Sequence, residues 1–173
     1  LQALLKINPN LYDVHQNIGI AQKSMGNFPK AEKHFKEAIR IEPREPSSHF
    51  NLASLYGNLG KFVQAIDEYE QADALYKSTG KYHPPPFYSD KARAHNQAGI
   101  QLGQLKKFDE ALIQFEKSVG LNPKSLEARF NLAKLLLEFK KDRPAATIHL
   151  EQALKLNPIP SQIEVLQNLL KAQ

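Results

Sequence analysis

HQNIGIAQKSMGNFPKA, His15 to Ala31, decides the fold because the chain repeats it. HFNLASLYGNLGKFVQA (His49 to Ala65) stands 34 residues later, and HNQAGIQLGQLKKFDEA (His95 to Ala111) follows after 46, a gap of 34 plus a twelve-residue insertion. RFNLAKLLLEFKKDRPAA (Arg129 to Ala146) lies 34 further on and carries one extra residue in its turn. A fixed period of this length marks stacked supersecondary units, each too small to bury its apolar face alone. Every copy holds two apolar-periodic stretches around a short turn, with Gly26 or Gly60 at the turn in the first two, which predicts a helix, a turn and an antiparallel helix. Pro43, Pro123 and Pro158 close three of the second helices. Ala31, Ala65, Ala111 and Ala146 are followed four residues on by Phe35, Tyr69, Phe115 and Leu150, one helical turn apart, so a close helix crossing sits beside a bulky filler.

The 34-residue period, the small residues at Gly19, Ala53, Gly99 and Ala133, the alanine–aromatic pairs and the closing prolines resemble the tetratricopeptide repeat. The resemblance implies an all-α fold, a right-handed α-solenoid of four helix-turn-helix repeats with a C-terminal capping helix. The expected division is 1–9 as the end of a preceding repeat, repeats at 12–45, 46–79, 92–125 and 126–160, a proline-rich insertion at 80–91, and the cap at 161–173. The cap is read from Ile163, Leu166 and Leu170 on one face with polar residues elsewhere. LQALLKINP at the start, without an initiator methionine, suggests a piece of a longer protein with an apolar N-terminal edge able to self-associate. Two features depart from the family pattern. His15, His49, His95 and Arg129 stand where tryptophan is favoured, and Lys106 and Lys140 replace the turn glycine, which predicts a different shape for those two turns.

Composition narrows the function. The charge of +5 is dispersed among interleaved acids, as in Lys30, Glu32 and Lys33, the pattern of a solvated helix face. No apolar run nears the roughly 20 residues of a membrane helix, no secretory leader is evident, and a cytoplasmic location is the default. Without cysteine, thiolate metal sites are excluded. A histidine metal site is disfavoured as well: equivalent positions on packed helices lie roughly 8–10 Å apart, whereas zinc needs donors at about 2.1 Å. Phosphate-binding glycine loops and metalloprotease motifs are missing, so the chain is expected not to be an enzyme and to hold no cofactor.

In tetratricopeptide stacks the first helices form the concave wall. Its candidate binding residues here are Gln16, Asn17 and Ile20, then Phe50, Asn51 and Ser54, then Arg93, Gln97 and Ile100, and finally Phe130, Asn131 and Lys134. Charges along the wall cancel, which disfavours nucleic acid. Asn17, Asn51, Gln97 and Asn131 share one repeat position and form a row of carboxamides, each matching the C=O and N–H of a peptide. The row is similar to the asparagine ladder in the tetratricopeptide superhelix of O-linked N-acetylglucosamine transferases, which implies backbone grip on an extended peptide; bridging between adjacent helices is the structural alternative. Domains that clamp acidic chaperone tails place Lys and Asn in one first helix and Lys and Arg in the third. Here Gln16, Ile20 and Gln97 break that pattern, so an acidic tail is rejected as partner.

The expected function is therefore a protein–protein interaction scaffold holding a partner's extended segment. Assembly through repeat ends, or a recognition part of a larger enzyme such as a glycosyltransferase, are the alternatives. In the insertion, Pro84, Pro85 and Pro86 predict a stiff extended connector, Ser89 or Asp90 a cap for the next helix, and Tyr76, Tyr82, Phe87 and Tyr88 either aromatic packing or a partner patch.

Overall fold

The computed structural model describes residues 2–156 and 158–171; the ends of the expected first and last segments (Leu1, Ala172, Gln173) and Asn157 of the fourth repeat lie outside them. Among the described residues every element is helical, in two units, Leu1–Phe87 and Tyr88–Gln173. The first unit holds α1 (Gln2–Ile7), α2 (Tyr12–Ser24), α3 (Phe28–Ile41), α4 (Pro46–Asn58) and α5 (Phe62–Thr79). The second holds α6 (Phe87–Gln104, its first residue at the boundary), α7 (Phe108–Leu121), α8 (Leu126–Leu135), α9 (Arg143–Leu154) and α10 (Pro160–Lys171). No described helix is long and apolar enough to cross a membrane.

Helix starts follow from local chemistry. Proline occupies the first turn of α3, α4 and α9, where its fixed φ suits the helix and its missing N–H costs nothing. Ser125 and Asp142 cap α8 and α9 by accepting the backbone N–H of Ala128 and Ala145. Inside the first unit α2 packs on α3, α3 on α4 and α4 on α5. The alanine–filler pairs sit at these crossings: Ala31, Phe35, Ala65 and Tyr69 are buried in the first unit, as are Ala111, Phe115, Ala146 and Leu150 in the second. Leu166 of α10 joins the second core, so the last helix covers it as expected.

The turns correct one expectation. Gly26 has φ +76° and the turn closes with Asn27 N–H donating to the Gln22 carbonyl and Gly26 N–H to that of Lys23. Lys106, at φ +59°, makes the same turn: Lys107 N–H donates to Leu102 and Lys106 N–H to Gly103. The shape survives without glycine. In the fourth repeat the extra residue is absorbed before the turn, where Leu136–Lys140 widens into a π-helix and Lys141, not Lys140, takes the left-handed conformation at φ +56°.

The insertion also differs from its reading. α5 runs on to Thr79 and stops at left-handed Gly80, as expected. Phe87 N–H then donates to the Pro84 carbonyl across Pro85 and Pro86, so the prolines turn into α6 instead of forming an extended connector. The helix begins at Phe87, before Ser89 and Asp90 could cap it. Phe87 is fully buried, with its ring 5.7 Å from Phe50, 5.7 Å from Tyr69, 5.6 Å from Tyr76 and 4.8 Å from His83, two of these edge-on. Tyr82 and Tyr88 stay exposed.

Candidate peptide-binding site

In the first unit the wall residues divide by burial. Asn17 and Ile20 of α2 are exposed. Gln16 is buried and acts as a joint: its amide N–H donates to Tyr12 Oη at 2.7 Å and to Ser47 Oγ at 3.3 Å, and its Oε1 accepts from Asn51 Nδ2 at 3.1 Å. Half-buried Asn51 thus bridges α4 to α2. Ser54 Oγ accepts from Lys23 Nζ at 3.1 Å, and half-buried Phe50 leans on Tyr69 and Phe87.

The second unit repeats this link in the same register. Asn131 Nδ2 on α8 donates to Asn96 Oδ1 on α6 at 3.0 Å, as Asn51 does to Gln16. Asn96, buried, passes the chain on by donating to Glu127 Oε1 at 2.9 Å, and Gln97 Nε2 reaches the same oxygen at 3.4 Å. Each bridge engages one Nδ2 proton of its asparagine. An asparagine amide carries a second proton and an acceptor oxygen, so bridging and ligand binding are compatible. Ile100 packs on the core, Arg93 is exposed and pairs with Asp90 at 3.0 Å, and Lys134 lies 4.0 Å from Glu138.

At Phe130 and Glu127, the acceptor of the Asn96 bond, lies a cleft of about 380 Å³ between α8 and α10, lined also by Leu126, Ser161, Gln162, Val165 and Leu166. Sequence reasoning found Phe130 but treated α10 as a cap only. The overlooked signal is Val165, an exposed apolar residue off the Ile163–Leu166–Leu170 stripe.

The residues in the tryptophan position make polar ties that the sequence pattern does not show. His15 Nε2 donates to the Pro9 carbonyl at 2.9 Å while its Nδ1 meets His34 Nδ1 at 3.0 Å. Arg129 does the same, with Nε donating to the Pro123 carbonyl at 2.7 Å and Nη1 to Gln152. His49 Nδ1 pairs with Glu68 at 2.7 Å, and His95 Nδ1 donates to Gln114 Oε1 at 2.7 Å. These side chains tie each first helix to its second helix by polar contacts, and no cluster of three or more His, Cys, Asp or Glu able to hold a metal occurs among the described residues.

The stacked helix pairs, small-residue crossings and inter-repeat amide bridges define the class, and the chain belongs to the tetratricopeptide repeat family. Models described as tetratricopeptide repeat match residues 12–45, 34–67 and 92–125. Among curated proteins it is 26% identical over 156 residues to human protein O-mannosyl-transferase TMTC3, covering 88% of this chain and 17% of that protein. It is 25% identical over 118 residues to Hsp70-Hsp90 organizing protein 2 of Arabidopsis thaliana, 64% of this chain and 19% of that one. The chain thus spans about a sixth of the length of the TMTC3 proteins it matches. The crystal structure of MamA superposes with a TM-score of 0.62 at 20% identity, over 90% of this chain and 83% of that one, a likeness of fold. Family and fold together support a protein-interaction scaffold.

Proposed function

We propose that the second unit holds a short extended peptide, with Gln97 and Asn131 gripping its backbone and an apolar side chain seated against Phe130, Leu126 and Val165. The cleft beside the amide bridge supports this reading most directly. Two singly bonded amides contribute roughly 1–3 kcal/mol net, and one buried apolar side chain about 1.5–3 more. A millimolar complex needs about 4 kcal/mol and a micromolar one about 8, so a lone short peptide binds more weakly than micromolar. Glu127 lines the cleft and favours a basic residue next to the apolar anchor. In the first unit Asn17 and Asn51, with Ile20 beside them, are the corresponding rungs, and Gln16 serves them as a buried support.

Selection of a random peptide library on the whole chain tests the reading. Enriched peptides carrying an apolar residue beside Lys or Arg, whose binding is lost in Val165→Glu, support it; enrichment unaffected by Val165→Glu removes the cleft from the account. Val165 is exposed, so the variant is expected to fold.

A second reading draws on the TMTC3 likeness: the chain as the recognition segment of a larger transferase, itself performing no catalytic step. Sequencing the gene on both sides tests it, and a parent without a transferase domain would end it. Exposed Leu4 and Ile7 on α1 support self-association through that edge, to be checked by mass measurement across concentrations. A cytoplasmic setting is part of the proposal and is tested by fractionation.

A further inference from the structure

We propose that the first unit carries a second, separate site: a cleft in repeat one that binds a tetrahedral oxyanion, of the phosphate or sulfate kind, between Lys30, Lys33 and His34, and takes up a proton as it does so. The cleft, about 570 Å³, is lined by Pro9, His15, Lys30, Lys33, His34 and Glu37. Its charge is unbalanced. Arg40 holds the Glu37 carboxylate at 2.7 Å, while neither Lys30 nor Lys33 has a carboxylate within ion-pair distance among the described residues.

The histidine pair explains the proton. The Pro9 carbonyl can only accept, so His15 Nε2 carries a hydrogen; neutral His15 then presents a lone pair at Nδ1, and His34 Nδ1–H donates to it. The nitrogen left to His34 is Nε2. A proton added there keeps both existing bonds and creates a new N–H donor, whereas a proton on His15 Nδ1 would set two N–H groups against each other. The charged and titratable groups sharing the cleft with His34 are His15 from α2 and Lys30, Lys33 and Glu37 from its own helix. Burial, then the neighbouring His15 and Lys33, hold its pKa below the usual value against the opposing pull of Glu37. An oxyanion beside Lys33 reverses that field. Anion and proton therefore favour each other, and by linkage the coupling is reciprocal.

The test follows histidine ring resonances of the whole chain against pH, with and without sulfate, whose charge is constant over the range. The His34 midpoint is expected to rise by about half to one pH unit in sulfate, and sulfate affinity to increase as pH falls. Lys30→Gln with Lys33→Gln, both exposed and outside the core, should abolish the rise with the circular dichroism unchanged. His34→Gln should leave an affinity that no longer depends on pH. An equal rise at His34, His95 and His149 would mean salt screening alone and overturns the site, as does a rise that persists in the double lysine variant. Inorganic phosphate and a phosphoserine peptide separate the sources: binding about tenfold tighter for the peptide assigns the site to a phosphorylated partner, and equal binding assigns it to the free ion.

Discussion

Lys106 shows what a single residue can and cannot report. The sequence marks it as a substitution of the turn glycine, and its cost suggests a changed turn; the structure keeps the turn, at φ +59°, with the hydrogen bonds of the Gly26 turn. Packing of the flanking helices fixes the conformation, and the lysine bears it. Left-handed backbone costs an L-residue about 1–2 kcal/mol, partly offset by the greater chain entropy glycine loses on folding. Lys106→Gly should thus stabilise the protein by about 0.5–1 kcal/mol, seen as a higher urea midpoint at unchanged slope. The asparagine row is legible to the same degree. Repeat alignment locates Asn51 and Asn131, but their bridges to Gln16 and Asn96 depend on side-chain reach between helices 35 residues apart in sequence, which no local pattern encodes.

Among elements, the helix crossings were the most legible feature, since small residues spaced against large ones follow from packing alone. Their tightness was not. A Cβ on Gly99 would lie 2.6 Å from the ring of Phe115, and one on Gly19 2.6 Å from that of Phe35, whereas repeat four pairs Ala133 with Leu150. Gly99→Ala gains about 1 kcal/mol of helix propensity but forces a buried ring to move, at about 1–3 kcal/mol. Net destabilisation is expected in denaturant melts. Adding Phe115→Leu should recover much of it, so the two substitutions couple favourably in a double-mutant cycle; additive losses would refute the close approach. The insertion was less legible. Three prolines read as a rod, yet burying Phe87 among Phe50, Tyr69, Tyr76 and His83 outweighs that preference and turns the chain into α6.

For the molecule as a whole, the four-repeat organisation was plain in the sequence, while the α8–α10 cleft was not, because it arises where a capping helix meets a wall helix. Stability should carry a histidine signature. Burial first, then Arg129, lowers the pKa of His149 as burial and neighbouring charges lower that of His34, below the usual 6.5. The folded state thus prefers both neutral, so their contribution is full above the unfolded value and is lost as pH falls through the depressed folded values. Urea midpoints should drop on acidification through the histidine range, before carboxylates such as Glu37 and Glu32 protonate, and His34→Gln should shrink the drop. The central claim is that the bridging amides also hold a ligand. It is tested most directly by titrating one library-selected peptide calorimetrically against the wild type, Asn131→Ala and Asn96→Ala. Both variants lose the same bridge, so both should lose stability, but only Asn131→Ala removes the proposed ligand contact. The account predicts affinity about 2- to 12-fold weaker in Asn131→Ala and near wild type in Asn96→Ala. Equal affinity in the two would contradict it and leave the row a structural brace.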